Sequence, residues 1–443
     1  MAQHDFTKGS IFRQLYIFSG PILLASLLQT SYQFIDSLWV GNLIGARALG
    51  AVSVSSTVIF TVLSLILGIN NASLTILSQQ RGKGDREALK KYINGFVVIL
   101  TALALILGAA GFFFSEAILR LLGTPAEMIP EAAGYLQINF LGILFLFGYN
   151  FIGTLLRAMG NSKAPLRFVF AAVVLNAILD PIFISVMNLG VDGAAIATVI
   201  SQGFSFLYGL TFIIKRKLAP LTLPYLPNRE VTGLILKLGI PSAMQMGVIS
   251  AGVMAIMSVV TSFGSGVTAG FGAAQRLDSL LMLPAHALGT AVNAMAGQNI
   301  GAGRWDRVHK ISFYAVLYNL GIMLAVALLI FSFADFGIGL FIDDPEAVSF
   351  GADYMRGIAF FYPLLGINFV LNGAVRASGA MVAVLVLNII SFWVLRYPLT
   401  YAFANRFGAE GIPFGMGTSF FISAIFAVLY YKLGNWKKKR LRG

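Results

Sequence analysis

Two carboxylic acids, Asp36 and Asp180, sit inside long apolar stretches with no basic residue within two helical turns to pair with. Each has polar company on its own helical face. Gln29, Tyr32 and Gln33 precede Asp36 at seven, four and three residues, and Asn176 precedes Asp180 at four. A carboxylate at the centre of a membrane-spanning helix costs at least about 2.5–3.5 kcal/mol, so its default reading is functional and inward-facing. If the two are close, low dielectric and mutual repulsion make at least one of them take up a proton more readily, which is what a proton carrier needs. Counted from Gln14, Asp36 lies about 33 Å along its helix; Asp180 lies about 25 Å along its own from Lys163, and Thr198 opens the next stretch at a similar depth. Asp36, Asp180, Asn176 and Thr198 are therefore expected at one cation-coupling site. The competing structural reading makes Asp180-Pro181 a kink and Asp36 the marker of a helix end.

Other polar residues have weaker claims. Asn150 in Gly-Tyr-Asn-Phe recurs as Asn368 in Gly-Ile-Asn-Phe, and recurrence in a half without acids suits helix packing as well as coupling. Gln29, Tyr32, Gln33 and Tyr135 are expected to line a substrate cavity. Arg276, Asp278 and Arg396 read as buried charges of the second half. Arg276 and Asp278, two residues apart, do not face each other on a helix, so an interhelical Asp278–Arg396 pair is expected.

Enzyme chemistry finds no footing. There is no His-Glu-x-x-His, no Gly-x-Ser-x-Gly and no phosphate-binding loop, since Gly82-Lys83-Gly84 and Gly301-Ala302-Gly303 follow long apolar helices as turn residues. With no cysteine and three scattered histidines, His4, His286 and His309, no metal site or resident cofactor is expected.

The elements carrying these residues belong in a bilayer. The chain of 443 residues is 58% hydrophobic and 11% charged, with mean hydropathy +0.82, too apolar to give a soluble protein a wet surface. Twelve apolar runs of about 20 residues or more can be counted, each long enough to cross. The net charge of +13 raises the question of nucleic acid. Its distribution answers no, because the basic residues are divided among short loops on one side, such as Arg81 to Lys91, Lys215 to Lys217 and Arg304 to Lys310, while acids gather on the other. That asymmetry places both termini in the cytoplasm of a prokaryotic plasma membrane and leaves the lipid surface as partner for the basic tail. No cleaved leader is expected.

The chain is also written twice. At an offset of about 219 residues, Gln79-Gln80-Arg81-Gly82 meets Gln298-Asn299-Ile300-Gly301, Arg157-Ala158-Met159-Gly160 meets Arg376-Ala377-Ser378-Gly379, and Gly190-Val191-Asp192-Gly193 meets Gly408-Ala409-Glu410-Gly411. Six spans per copy make two lobes, residues 1–222 and 223–443, related by a pseudo-twofold axis along the membrane normal, with the proline-rich segment after Lys217 as linker. Pro21 and Pro241, at matching places, are candidate bend points. The expected fold is an all-α membrane protein of twelve transmembrane helices, the usual form of a secondary transporter.

Together, Gln33-Phe34-Ile35-Asp36-Ser37-Leu38-Trp39-Val40-Gly41, Gln-Gln-Arg-Gly-Lys-Gly after the second span, Arg-Ala-Met-Gly-Asn after the fourth and Asn176-x-x-x-Asp180-Pro181 resemble the multidrug and toxic compound extrusion (MATE) family, over the whole chain. The chain looks like the DinF branch of that family. The resemblance implies that Asp36, Asn176, Asp180 and Thr198, with Asn150, form the N-lobe cation-coupling network, and that inward ion flow drives export of lipophilic, often cationic drugs. The NorM-like branch carries acids in spans 7 and 10, where this chain offers Gln245, Ser250, Asn368 and Asn372. The expected activity is proton-coupled antiport by a monomer. Sodium coupling, flipping of a lipid-linked precursor, favoured by Arg276 and Arg396, and a channel or receptor without coupled transport are the alternatives.

Overall fold

The computed structural model describes residues 4–438, the side chains of Gln33 and Ala46 apart. Every regular element in it is helical. Nine helices among the described residues are long and apolar enough to cross a membrane, or eleven when two bent pairs each count as one span. One of the nine is a run of 53 residues, Met381–Leu433. Straight, it would measure about 80 Å at 1.5 Å per residue, far beyond a hydrocarbon core of about 30 Å. The chain reverses at Gly408, where φ is +71°, and the last helix packs back along the preceding one, so this run is two crossings and the total is twelve.

Packing divides the chain into two units. Among the described residues, the first holds Leu24–Gly239 with His4 and Asp5, and the second holds Phe6–Leu23 and those from Ile240 onward. A division by chain order alone, at 222, differs from this because two long helices change unit along their length. Helix α1 (Ile11–Leu43) does so just after Pro21, and a later helix, Arg229–Thr261, does so at Gly239, just before Pro241. Both helices run on through their prolines, although each lies well inside its helix, where the ring removes one i→i−4 hydrogen bond.

In the first unit α1 is followed by α2 (Ala46–Lys83), α3 (Arg86–Leu121), the bent pair α4 (Ile129–Leu141) and α5 (Ile143–Ala158), α6 (Lys163–Pro181) and α7 (Gly190–Arg216). Asp85 caps α3 by accepting from Ala88 N at 2.9 Å, and Asn161 caps α6 through Ala164 N at 3.0 Å. A π-helical turn, Ile182–Val186, extends α6 directly after Pro181, where the ring has removed a backbone donor.

The second unit repeats the order. It contains α8 (Arg229–Thr261, from Ile240), α9 (Ser265–Leu281), α10 (Leu283–Gly301), α11 (Trp305–Gly339), the bent pair α12 (Pro345–Ala359) and α13 (Tyr362–Ala377), α14 (Met381–Ile389), a π-helical turn at Ile390–Arg396, α15 (Tyr397–Phe407) and α16 (Gly411–Leu433). The bends within the pairs are 51° in the first unit and 58° in the second.

The repeated motifs are explained by backbone geometry. Gly160 and Gly379 have φ of +81° and +89°, the left-handed turn that ends α5 and α13. A Cβ on Gly193 would lie 2.8 Å from the carbonyl carbon of Phe183, and one on Gly411 would strike the Phe403 carbonyl. The Gly-x-x-Gly signature thus lets α7 and α16 begin in contact with the helix before them. Gln298 and Asn299 hold the chain's start, accepting from Phe6 N at 3.2 Å and donating to Phe6 O at 3.0 Å.

Candidate functional site

The apolar environment that makes a carboxylate costly is complete around Asp36 and Asp180: the first is 6% exposed and the second 0%. Helix α1 brings Asp36, α6 brings Asp180 and Asn176, and α7 brings Thr198, all within the first unit. Thr198 Oγ1 donates to Asp36 Oδ2 at 3.1 Å, and Asn176 Nδ2 donates to Asp180 Oδ1 at 3.1 Å. The two carboxyl groups lie close enough to feel each other's charge, and Asn176 is also near Asp36. Asp36 Oδ1 and Asp180 Oδ2 receive no N–H or hydroxyl from the described residues. Two neighbouring carboxylates offer only acceptors, so a proton taken up by either one relieves their repulsion.

Local chain geometry supports this meeting. Asp180 is the last residue before the proline and the π-helical turn, and close packing of Gly193 against Phe183 fixes that turn beside α7, which carries Thr198 five residues further on. Val40, Val52, Ile184, Ala194 and Ala195 form an apolar cluster around it. Tyr135 belongs to the same cluster, is 3% exposed, and has its hydroxyl beside Ser56 and Asn139.

Polar contacts continue along α1. Tyr32, one turn before Asp36, donates to the Thr198 carbonyl at 3.3 Å and has Ser201 beside its hydroxyl. Gln29 donates to the Tyr149 hydroxyl at 2.9 Å. Asn150 stands off from the carboxyls: its amide donates to the Leu146 carbonyl at 2.9 Å, and its link to the network runs through its neighbour Tyr149. Gln33, expected beside Tyr32, has its side chain outside the described residues. Tyr149 and Ser201 escaped the sequence reading, although Tyr149 adjoins Asn150 in its motif and Ser201 lies one turn after Thr198.

An apolar hollow of about 460 Å³ lies elsewhere in the unit, between Leu24, Leu27 and Leu28 of α1 and Leu166 and Phe170 of α6. None of the acid-site residues lines it. No metal-ligating cluster occurs among the described residues.

The second unit requires two corrections. Arg276, read as a buried charge, is exposed. Asp278 and Arg396 form no ion pair among the described residues. Asp278 instead accepts from the Tyr362 hydroxyl and lies beside Tyr354, while Arg396 is held over the rings of Phe392 and Phe420. Tyrosine hydroxyls satisfy the carboxylate and ring faces hold the guanidinium, so the two charges are neighbours without a direct bond.

Comparison with known proteins agrees with the duplicated helical design. The MatE family pattern matches twice, over residues 21–182 and 241–402. The chain is 59% identical to the probable multidrug resistance protein YpnP of Bacillus subtilis, across 100% of this chain and 99% of that one. It is 31% identical to YoeA of the same organism, a probable multidrug resistance protein, covering 98% and 96%. A solved outward-facing multidrug resistance MATE family transporter of the MOP superfamily superposes with a TM-score of 0.93 at 22% identity, covering 99% of both chains. The match to each repeat, the full-length likeness to YpnP and the shared fold establish that this chain is a membrane transporter of the MatE family.

Proposed function

We propose that the protein is a secondary exporter that lets protons in and moves amphipathic, often cationic organic compounds out of the cytoplasm. The observation that carries this reading is the buried Asp36–Asp180 carboxyl pair, two neighbouring acids whose charged forms repel each other. Protonation from outside neutralises the pair and weakens its hold on a cation; release to the inside restores the charge. The pair belongs to the N-lobe network of the DinF-like branch, and Tyr32, Gln29 and Tyr135 extend it toward a substrate cavity of broad apolar selectivity. The names of YpnP, YoeA and the multidrug export protein MepA of Staphylococcus aureus point to drug-like substrates. The loop-charge asymmetry supports a prokaryotic plasma membrane protein with both termini cytoplasmic, and one chain carries a complete pair, which suits a monomer.

Sodium has one observation in its favour. Asn176 Oδ1, Asp36 Oδ1 and Asp180 Oδ2 are three buried oxygens without a donor, the hard-ligand set an alkali cation takes. Dye efflux from proteoliposomes under separately imposed gradients decides between the two. Proton-driven efflux is the expected result; efflux driven by a sodium gradient alone assigns sodium, and efflux under neither gradient removes the coupled-exporter reading.

A further inference from the structure

Arg396 is 5% exposed and closes the π-helical turn of the second unit. Its guanidinium carbon lies 3.8 Å from the centre of the Phe392 ring and 4.5 Å from that of Phe420. Ring stacking uses the faces of a guanidinium and leaves its in-plane N–H donors to be satisfied separately. Among the described residues nothing accepts from Nε or Nη2. Those two nitrogens make up one edge of the group, the edge that gives a planar carboxylate two parallel hydrogen bonds. Arg157, half-buried, differs: it leaves Nε unmet and donates from Nη2 to Thr154 at 2.9 Å.

Asp278 does not consume this edge. It is bonded by Tyr362, lies beside Tyr354, and meets Arg396 only through space. The repeat adds a second line of argument. Matching Pro181 of the first half with Pro398 of the second puts Arg396 one residue before the counterpart of Asp180, and each half has a π-helical turn beside that proline, after it in the first half and before it in the second. Where the first unit offers an acid to a cation, the second offers a base.

We propose that the second unit contains a binding site for an organic carboxylate, whose two oxygens are taken by Nε and Nη2 of Arg396 and whose apolar body lies against Phe392, Phe420 and Tyr362. The site is separate from the Asp36–Asp180 pair and needs no gradient to fill.

The test is equilibrium binding of 4-benzoylbenzoate, a photoreactive aromatic carboxylate, to the purified full-length protein, with the cationic analogue 4-(aminomethyl)benzophenone as control. Saturable binding is expected, with light-induced attachment to the peptides carrying Phe392 to Arg396 and Met416 to Phe420. Arg396→Lys keeps a cation but not the fork, and weakens binding of the carboxylate at least about tenfold while leaving the amine unchanged. Asp278→Asn removes a neighbouring negative charge and tightens carboxylate binding several-fold. Competition by benzoate assigns a soluble carboxylate, and competition by oleate alone assigns a fatty acid. No saturable binding, attachment outside those peptides, equal affinity in Arg396→Lys, or weaker binding in Asp278→Asn overturns the proposal. The attachment map is read on the unaltered protein and stands even if a variant does not fold.

Discussion

The carboxyl groups of Asp36 on α1 and Asp180 on α6 are buried neighbours, and one oxygen of each has no protein donor. Each acid therefore raises the cost of charging the other, and removing either one removes that coupling. Asp36→Asn is expected to lower gradient-driven efflux at least about tenfold in a protein that still inserts, because an amide keeps the shape but does not titrate. Asp180→Asn is expected to fail alike, and the double variant to be little worse than either single one, since groups acting as a unit are non-additive. Proteoliposome efflux by all three variants is the measurement, and losses that add would mean two separate sites.

Partners of the pair tune it without replacing it. Thr198→Ala removes the 3.1 Å donor to Asp36 Oδ2, and Asn176→Ala removes the 3.1 Å donor to Asp180 Oδ1. Each lost bond to a charged group is worth about 1.5–3 kcal/mol, and each favours the ionised form, so both variants should hold the proton more tightly and move the pH midpoint of efflux upward. Asp36→Glu should also move the midpoint. An unchanged pH profile in all three would detach proton coupling from this pair.

Much of this site was legible from residue types alone, because an acid in an apolar helix has few innocent explanations. The depth count placed Asp36, Asp180 and Thr198 together, and the i−4 rule placed Asn176. What escaped were contacts set by tertiary packing. Tyr149 reaches Gln29 from another helix, and no periodicity signals it. Asp278 and Arg396 were paired by charge, yet Tyr362, Phe392 and Phe420 hold them separately, since an aromatic ring satisfies a guanidinium face as readily as it fills a core. The twofold repeat gave six spans per half, but not that Pro21 and Pro241 mark where α1 and α8 change packing unit, which depends on neighbours rather than on local sequence.

Topology is testable in a chain without cysteine. Single cysteines at Lys83, Lys215 and Arg304 should react with an impermeant thiol reagent only from the cytoplasmic side, and those at Glu127 and Glu346 only from outside. Both groups reacting from one side would overturn the orientation drawn from loop charge.

Backbone packing beside the acid site offers a test independent of charge. A Cβ on Gly193 would lie 2.8 Å from the Phe183 carbonyl carbon and 3.0 Å from Ile184 N, both in the π-helical turn after Asp180. Backbone atoms yield poorly, so Gly193→Ala is an overpacking change costing about 1–3 kcal/mol. The strain falls on the turn that positions Asp180, so efflux should drop with thermal stability. Gly272→Ala is the control: nothing lies within 4 Å of its Cβ position, and alanine at a helix interior is if anything favourable. Thermal unfolding in detergent and efflux in proteoliposomes should both separate the two variants. If Gly193→Ala keeps wild-type stability and transport, α7 does not need its close approach to the turn, and the Gly-x-x-Gly repeat has some other cause.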